Sequence, residues 1–531
     1  MLRIELDTPW GLPLVLAVVL VASSILVSRN RSASDTPQRP PIVSTHPIFG
    51  VSEKGNLRDN WAARRRKYGT VFMATESTGV TFVHVGDALA LKDIADRPEI
   101  FSIGPVHLSS APMFGVTPPT AQWMAFQGGA SALVSLSAQI FSGSKLATLH
   151  ESFVSSVVSR LSSLAQSGSD QIELFKLVTE TTYESTMEAL FTPTFPRGTY
   201  RAFHEWDLAL VEFCNGCPSP ASVQARDGML KLVREQIDTQ LSECSVQVRE
   251  QMETFQGSFG QPYEDAVALV LRNTWLAAVQ APLSAAWLNC LLVHRPEDLK
   301  TILTEAREAC KSVGVQTIAE LVSNLENLRP DLMPTLDALV SETVRVWAAQ
   351  TVPRVCVQDS VIRSFDKKGR VRHLQFKAGD IVQLAFWNVN SSEINPQWWP
   401  TTNSPSIRYP GTLEPFDSTR FNPRGCADAS ASGNGTPKQN HTIKHGINKE
   451  TVRTWLPFGI GSRVCPGRFW AVAEIKAFTL LLFDTFDVLP ERDANMPAPD
   501  PMLWGGALHA EDDMNVHLTL RSLPTQAAAS A

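Results

Sequence analysis

The sequence has no strong excess of charge of either sign. Its 47 basic and 53 acidic side chains give a formal net charge of −6 over 531 residues. A chain with this balance carries no global positive field for the phosphates of DNA or RNA. We therefore expect no nucleic-acid partner.

The sequence also has no disulfide framework and no nucleotide-binding fingerprint. Its eight cysteines are scattered without a repeating pattern, which favours a reducing compartment. Cys214 and Cys217 form one CxxC pair, but no second pair follows that would complete a zinc site. The chain contains no Rossmann or flavin motif, so redox chemistry would need electrons from another protein.

One long apolar run stands near the beginning of the chain. Trp10 to Val27 is eighteen residues without a charge. As a helix it would be about 27 Å long, enough to span a bilayer once. It is long for a signal peptide and lacks a clear cleavage site, so we predict a retained anchor over residues 1–30. Arg29 and Arg31 place the remaining chain in the cytoplasm, and the proline-rich residues 31–50 predict a stiff connector.

The rest of the chain, residues 51–531, predicts one domain that is mainly α with small β-sheets. Residues 70–75 and 80–85 predict a hairpin, and residues 351–385 predict short strands. Residues 424–450 are rich in Ser, Asn and Gly and predict a surface insertion. The clearest helical patterns are Leu146–Leu164, Ile172–Leu190, Glu264–His294, Asp298–Lys311, Pro330–Trp347 and Arg468–Phe483.

The most informative stretch is Phe458 to Gly467, which reads F-G-I-G-S-R-V-C-P-G. A lone cysteine is more often an ordinary reduced core residue. A thiolate is also a strong iron ligand, however, and one cysteine in a Gly-rich, Arg-containing loop before a helix suits haem better than zinc, which needs three or four ligands. The complete spacing favours the second interpretation, so we predict that Cys465 is an axial ligand of haem iron.

The other residues of this stretch have matching physical roles. Gly461 would let the backbone bend beneath a porphyrin, and Gly467 would let backbone N–H groups point at the sulfur. Arg463 could bind a haem propionate, and Phe458 could shield the sulfur side of the ring from water. Together with Cys465, these four residues form the predicted cofactor loop.

The loop matches every fixed position of the cysteine signature of the cytochrome P450 monooxygenases, and the chain resembles that family from about residue 36 onward. The resemblance implies the P450 fold, haem b, and NADPH-derived electrons supplied by a partner reductase. It also implies a lipophilic substrate and the endoplasmic reticulum membrane as the location. General similarity to fungal members suggests a terpenoid or polyketide intermediate of secondary metabolism.

Further residues match the family pattern. Glu342 and Arg345 stand at i and i+3 of one predicted helix, where they can pair. By resemblance, Arg420 in the segment P-F-D-S-T-R-F would complete a buried network beneath the cysteine loop. Arg354 occupies the place of another propionate partner. An ion pair on a solvated helix and a surface arginine are the plain alternatives.

The sequence departs from the family pattern in two places. Trp123 lies where the family carries Trp-x-x-x-Arg, but no Lys or Arg occurs between Arg97 and Lys145, and Gln127 would replace the arginine. Gln280 stands where an oxygen-handling threonine is expected, two residues before Pro282. Glutamine cannot deliver a proton by ionising, although it donates and accepts hydrogen bonds. An amide near a proline resembles a branch that contains both steroid hydroxylases and haem isomerases.

Three functions are therefore compatible with the sequence. The first is a membrane-anchored monooxygenase that oxidises a lipophilic small molecule, with Gln280 handling oxygen and protons. The second is an isomerase or dehydratase that rearranges an oxygenated substrate without a reductase. The third is a haem-binding membrane protein without catalysis. The intact cysteine loop favours an enzyme, and the monooxygenase is the leading interpretation.

Overall fold

The computed structural model describes most of the chain between residues 39 and 521. The described residues are 39–40, 42–43, 64, 67–75, 81–168, 171–214, 216–348, 351–366, 370–386, 416–417, 421, 456–500 and 506–521. The predicted anchor, the predicted insertion at residues 424–450 and Arg420 lie outside these residues.

Most described residues are helical. The helices are α1 Ala88–Ala95, α2 Gly104–Ser110, α3 Pro118–Phe126, α4 Gly129–Ile140, α5 Gly143–Ser167, α6 Leu174–Leu190, α7 Tyr200–Leu208, α8 Leu210–Cys214, α9 Pro220–Gln240, α10 Val246–Glu253, α11 Tyr263–Ala278, α12 Gln280–Val293, α13 Pro296–Val313, α14 Ile318–Ser323, α15 Pro334–Trp347 and α16 Arg468–Thr485. Single turns occur at Ala111–Phe114, Thr254–Ser258, Leu325–Leu328 and Gly461–Arg463.

Eleven strands form three small sheets among the described residues. The strands are β1 Ile42–Val43, β2 Val71–Thr75, β3 Thr81–Val85, β4 Phe101–Ser102, β5 Gln171–Glu173, β6 Thr351–Cys356, β7 Ser360–Phe365, β8 Val371–Phe376, β9 Ile381–Ala385, β10 Phe486–Pro490 and β11 Asn515–Leu520. The largest sheet has the order β1-β2-β3-β9-β6-β4, and the others are β10-β11-β5 and β7-β8. The predicted mainly α architecture with small β-sheets is thus confirmed.

The helical core is built around α12. Helix α12 packs against α6 and α16, and α5 packs against both of these helices. Each buries an apolar face, and large side chains such as Trp287 and Trp470 are 0% and 1% exposed. Because these helices pack closely against α16, they fix its position, and α16 follows directly after the predicted cofactor loop.

Helices α11 and α12 together form the long predicted helix, but they are separated at Val279. Pro282 has no N–H to donate to the carbonyl one turn earlier, which weakens the helical ladder at this point. The stretch Tyr263–Val293 is long enough for a membrane span, and its most apolar window has a mean hydropathy of 1.6, yet 78% of that window is buried inside the protein. We therefore assign it to the core.

Two predicted helix starts are wrong. The predicted helix at Ile172 begins at Leu174, because residues 171–173 pair with β11 from the far end of the chain. The helix predicted from Pro330 begins at Pro334, since proline suits the first helical position and disfavours helical geometry just before it. The predicted connector is also partly structured, because Ile42–Val43 pairs with β2.

Candidate functional site

Cys465 lies in a tight loop that leads into helix α16. Its N–H donates a hydrogen bond to the carbonyl oxygen of Phe458 at 2.8 Å. Gly461 has a φ of +70°, and a Cβ there would lie 3.3 Å from the carbonyl oxygen of Ala95 at the end of α1. Glycine is therefore favoured at this position by the backbone conformation and by the contact with α1.

Cys465 is half-buried, and its sulfur accepts a hydrogen bond from the Gly467 N–H. Burial raises the pKa of Cys465, while the Gly467 N–H and the charge of Arg468 act in the opposite direction. Arg468 also donates to the Cys465 carbonyl oxygen at 2.9 Å. A sulfur at a helix N-terminus with such donors suits a thiolate whose desolvation is offset by a metal ion.

Basic side chains converge beside this loop. Arg354 on β6 is only 9% exposed. Desolvation and the charge of Arg463 lower the pKa of Arg354 to about 10. Burial, followed by the charges of Arg272, Arg463 and Arg354, lowers the pKa of His107 to about 3. Within the described part of the chain, none of the three arginines forms an ion pair with a carboxylate.

Uncompensated buried cations are costly unless an anion accompanies them. The two carboxylates of haem would supply that charge beside Arg354 and Arg463, and the thiol of Cys465 would supply the iron ligand. The residues present therefore fit haem.

Arg463 also connects the cysteine loop to helix α4. Its guanidinium donates to the carbonyl oxygen of Ala130 at 2.8 Å and to Oγ of Ser131 at 3.0 Å. Both acceptors are neutral, so the charge of Arg463 stays available to an anion.

The Trp123 segment lies at the end of helix α3. Trp123 is half-buried against Phe259, with 5.3 Å between the ring centroids. A Cβ on Gly129 would lie 2.7 Å from the Trp123 ring, so glycine is required for this packing. Gln127 is exposed at the end of α3, and Arg463 is the residue that contacts this region.

Glu342 and Arg345 form a buried, two-pronged ion pair on α15. Nε and Nη2 of Arg345 each lie 2.6 Å from a Glu342 oxygen, and the side chains are 0% and 3% exposed. Glu342 Oε1 also accepts a hydrogen bond from the Asp417 N–H at 2.8 Å. The pair thus connects α15 to the segment that contains Arg420, although Arg420 itself lies outside the described residues.

Gln280 is the first residue of α12, and its side chain contacts the turn at residues 506–510. Its Oε1 accepts a hydrogen bond from the Ala507 N–H. The same turn is held by Leu508, whose N–H donates to the Trp347 carbonyl at 2.9 Å and whose carbonyl accepts from Trp287 Nε1 at 2.7 Å. Gln280 is therefore a positioning residue for this turn.

We predict that Gly506→Ala breaks the contact between Gln280 and the turn. A Cβ at residue 506 would lie 2.2 Å from Gln280 Oε1, so the carboxamide must move and lose its bond to Ala507. We expect a loss of about 1–3 kcal/mol in the free energy of unfolding, measured by denaturant titration.

Two further variants test the cause of that loss. In a Gln280→Ala background, Gly506→Ala should cost much less than in the parent, because the clash then has no partner. Gly257→Ala is the matched control, since a Cβ there meets nothing within 4 Å. Additive effects of the two substitutions would contradict the contact.

Sequence reasoning missed His107 and Arg272. Arg272 carried a signal, because it is the one Lys or Arg between residues 263 and 293, an otherwise apolar stretch. His107 carried none, since a single histidine in a short helix is common. Their proximity to Arg354 and Arg463 depends on tertiary packing.

The chain is similar to proteins of one family. A sequence model of the family described as Cytochrome P450 matches residues 291–514. The human 7-alpha-hydroxycholest-4-en-3-one 12-alpha-hydroxylase is 27% identical over 255 residues, which are 48% of this chain and 44% of that protein. Prostacyclin synthase of Rattus norvegicus is 24% identical over 333 residues, which are 61% of this chain and 59% of that protein.

The alignments with these curated relatives span about half of their length. Solved structures match more of the chain. Cyanobacterial CYP120A1 with bound retinoic acid has a TM-score of 0.66 at 18% identity, over 92% of this chain and 100% of that one. The haem domain of cytochrome P450DA has a TM-score of 0.66 at 15% identity, over 92% and 98%. At these identities the structures establish the fold alone.

Proposed function

We propose that the chain is a haem-thiolate monooxygenase of the cytochrome P450 family that oxidises a lipophilic small molecule with electrons from NADPH. The family model that matches residues 291–514, the similarity to the hydroxylase and the shared fold support this proposal. One observation carries the proposal. The Cys465 thiol lies at the start of α16, in the same loop as the half-buried Arg463, whose charge acts on the buried Arg354. Neither arginine has a carboxylate partner among the described residues. This combination of one sulfur ligand and two anion-binding groups matches haem b.

The residues that would hold haem divide by task. Cys465 would ligate the iron, and Phe458, Gly461 and Gly467 would shape the loop around the sulfur. Arg354 and Arg463 would bind the propionates. Three residues contribute from the other side of the site, namely Trp123 as a packing surface, His107 as a neutral hydrogen-bond donor and Arg272 as a further positive charge.

Haem, when bound, supplies the iron that activates dioxygen, and thiolate donation favours O–O cleavage. The protein supplies position and exclusion of water. Glu342 and Arg345, completed by Arg420, would keep the segment beneath the cysteine loop in place. The burial of the ion pair supports this role, because a buried, fully hydrogen-bonded pair holds α15 rigidly against the segment at Asp417.

Gln280 would handle protons indirectly. Its Oε1 is engaged by Ala507, which leaves the Nε2 hydrogens as the donors available to a water molecule or a substrate oxygen. The proton itself would come from such a water, because an amide does not ionise. The helix is interrupted at Val279, and the missing N–H of Pro282 would leave a carbonyl that could accept a hydrogen bond from that water.

The sequence also supports a proposal for the location of the protein. We propose that Trp10 to Val27 anchors the chain in the endoplasmic reticulum membrane as a single span, with the catalytic domain in the cytoplasm. The uncharged run and the arginines after it support this. A membrane-bound reductase would then be the electron donor, and the substrate would be a terpenoid or polyketide intermediate of secondary metabolism.

A second candidate is an isomerase or dehydratase that needs neither reductase nor dioxygen. Gln280 favours it, since the missing threonine removes the usual proton relay. Similarity to prostacyclin synthase at 24% identity is nearly as high as similarity to the hydroxylase at 27%.

Reconstitution with a reductase distinguishes the two. The full chain is incubated with NADPH, dioxygen and a panel of sterols, terpenoids, polyketides and oxygenated lipids, and each component is then omitted in turn. A monooxygenase forms product only in the complete mixture. Product from an oxygenated lipid without NADPH and reductase would replace the monooxygenase proposal by the isomerase.

A further inference from the structure

A second group of metal-ligating side chains lies away from Cys465. It consists of His204 and Asp207 on helix α7 and His509 in the turn at residues 506–510. His204 and Asp207 stand at i and i+3, so the helix presents both on one face. His509 approaches them from the far end of the chain, and we call the three residues the His-Asp-His cluster.

The spacing of the three ligand atoms fits a small divalent cation. One nitrogen or oxygen from each residue lies within 4.8 Å of the others. His509 Nε2 and Asp207 Oδ2 are 3.3 Å apart. Zinc bonds to nitrogen and oxygen are about 2.0–2.2 Å long, so neighbouring ligands of a tetrahedral site are about 3.3 Å apart. One edge of the tetrahedron is already formed, and small side-chain movements of His204 would close the rest.

The aspartate is oriented by a partner of its own. Trp275 Nε1 on helix α11 donates to Asp207 Oδ1 at 2.7 Å, which leaves Oδ2 facing His509. Carboxylates that bind metals are held in this way by hydrogen bonds to their outer oxygen. Because Asp207 is only 8% exposed, its orientation is fixed by the surrounding protein.

Ring contacts position His204. It stacks on Tyr200 with 5.7 Å between the ring centroids and 17° between the planes. Its ring centroid also lies 5.4 Å from that of His509. The two imidazoles therefore already stand side by side, as two ligands of one ion would.

We propose that His204, Asp207 and His509 bind a zinc ion that joins helix α7 to the turn at residues 506–510. Three protein ligands leave the fourth position to water. The same turn receives Gln280 through Ala507 and contacts Trp287 and Trp347 through Leu508. Zinc would therefore stiffen the contact between α7 and the turn that Gln280 positions. This inference is independent of the proposed reaction.

Calorimetric titration of zinc into the purified haem-loaded chain tests the site. We expect one zinc ion per chain, with saturable binding lost in His204→Ala and in His509→Ala. Trp275→Phe removes the donor behind Asp207 and should weaken zinc binding by about 10–100-fold. His373→Ala is the matched control, because His373 is exposed on β8 outside the cluster, and it should bind zinc as the parent does.

Thermal unfolding gives a second readout. Zinc should raise the unfolding temperature of the parent and of His373→Ala but not of His509→Ala. No saturable zinc binding by the parent would reduce the cluster to the contact between His509 and Asp207 and overturn the proposal. Equal zinc binding by the parent and both histidine variants would place the ion elsewhere and overturn it as well.

Discussion

We expect Cys465→Ser to abolish the thiolate signature in the absorption spectrum of the reduced, carbon-monoxide-bound protein, and with it the proposed monooxygenase activity. Serine has nearly the same size, and the hydrogen bond from residue 465 to the Phe458 carbonyl is made by the backbone, so the loop should keep its shape. What is lost is the sulfur, whose electron donation neither a serine hydroxyl nor a water molecule can replace. We expect complete loss of the signature, measured together with haem content and circular dichroism.

Cys217→Ser is the control for that substitution. Cys217 is exposed and free, so its replacement should change neither the spectrum nor haem content. A folded Cys465→Ser variant with the parent spectrum would show that another residue ligates the iron.

Glu342→Ala lowers the free energy of unfolding by about 3–5 kcal/mol and yields protein with little haem. The substitution leaves Arg345 as a buried charge that is 3% exposed and without its carboxylate. It also leaves the Asp417 N–H without its acceptor. Because this pair connects α15 to Asp417, we expect the substitution to loosen the segment that holds the cofactor loop in place. Denaturant titration and haem content are the measurements.

The matched control removes an ion pair from the surface. Lys92 and Asp96 pair across one turn of α1, but their side chains are 59% and 53% exposed. Asp96→Ala should therefore cost at most about 1 kcal/mol and leave haem content unchanged. A Glu342→Ala protein with parental stability and haem content would remove Glu342 and Arg345 from the supporting network.

Local patterns were sufficient to predict much of the fold. The apolar periodicity of residues 146–164 and 468–483 predicts helices α5 and α16 because those signals are contained in the segments themselves. The failures involve partners distant in sequence. Residues 171–173 follow a helical pattern, yet they form a strand because β11 offers a pairing edge more than 300 residues later. No local propensity contains that information.

The residues of the candidate site also fall into two groups, those that local spacing identifies and those that only tertiary contacts identify. Cys465, Gly461 and Arg463 can be identified from their spacing, since each chemical role requires a fixed distance from the others along the chain. The contact between Gln280 and Ala507, the convergence of His107 and Arg272 on the arginines, and the His-Asp-His cluster all join segments far apart in sequence. Only the packed helices show that these residues meet.

The fate of isotopically labelled dioxygen tests the central claim most directly. The reconstituted chain is supplied with NADPH, reductase, a converted substrate and dioxygen carrying a heavy oxygen isotope, and the product is analysed by mass spectrometry. Monooxygenation predicts one labelled oxygen atom in each product molecule and the other in water. Product that forms at full rate with no label incorporated would contradict oxygen insertion and assign the haem site to rearrangement of the substrate's own oxygen.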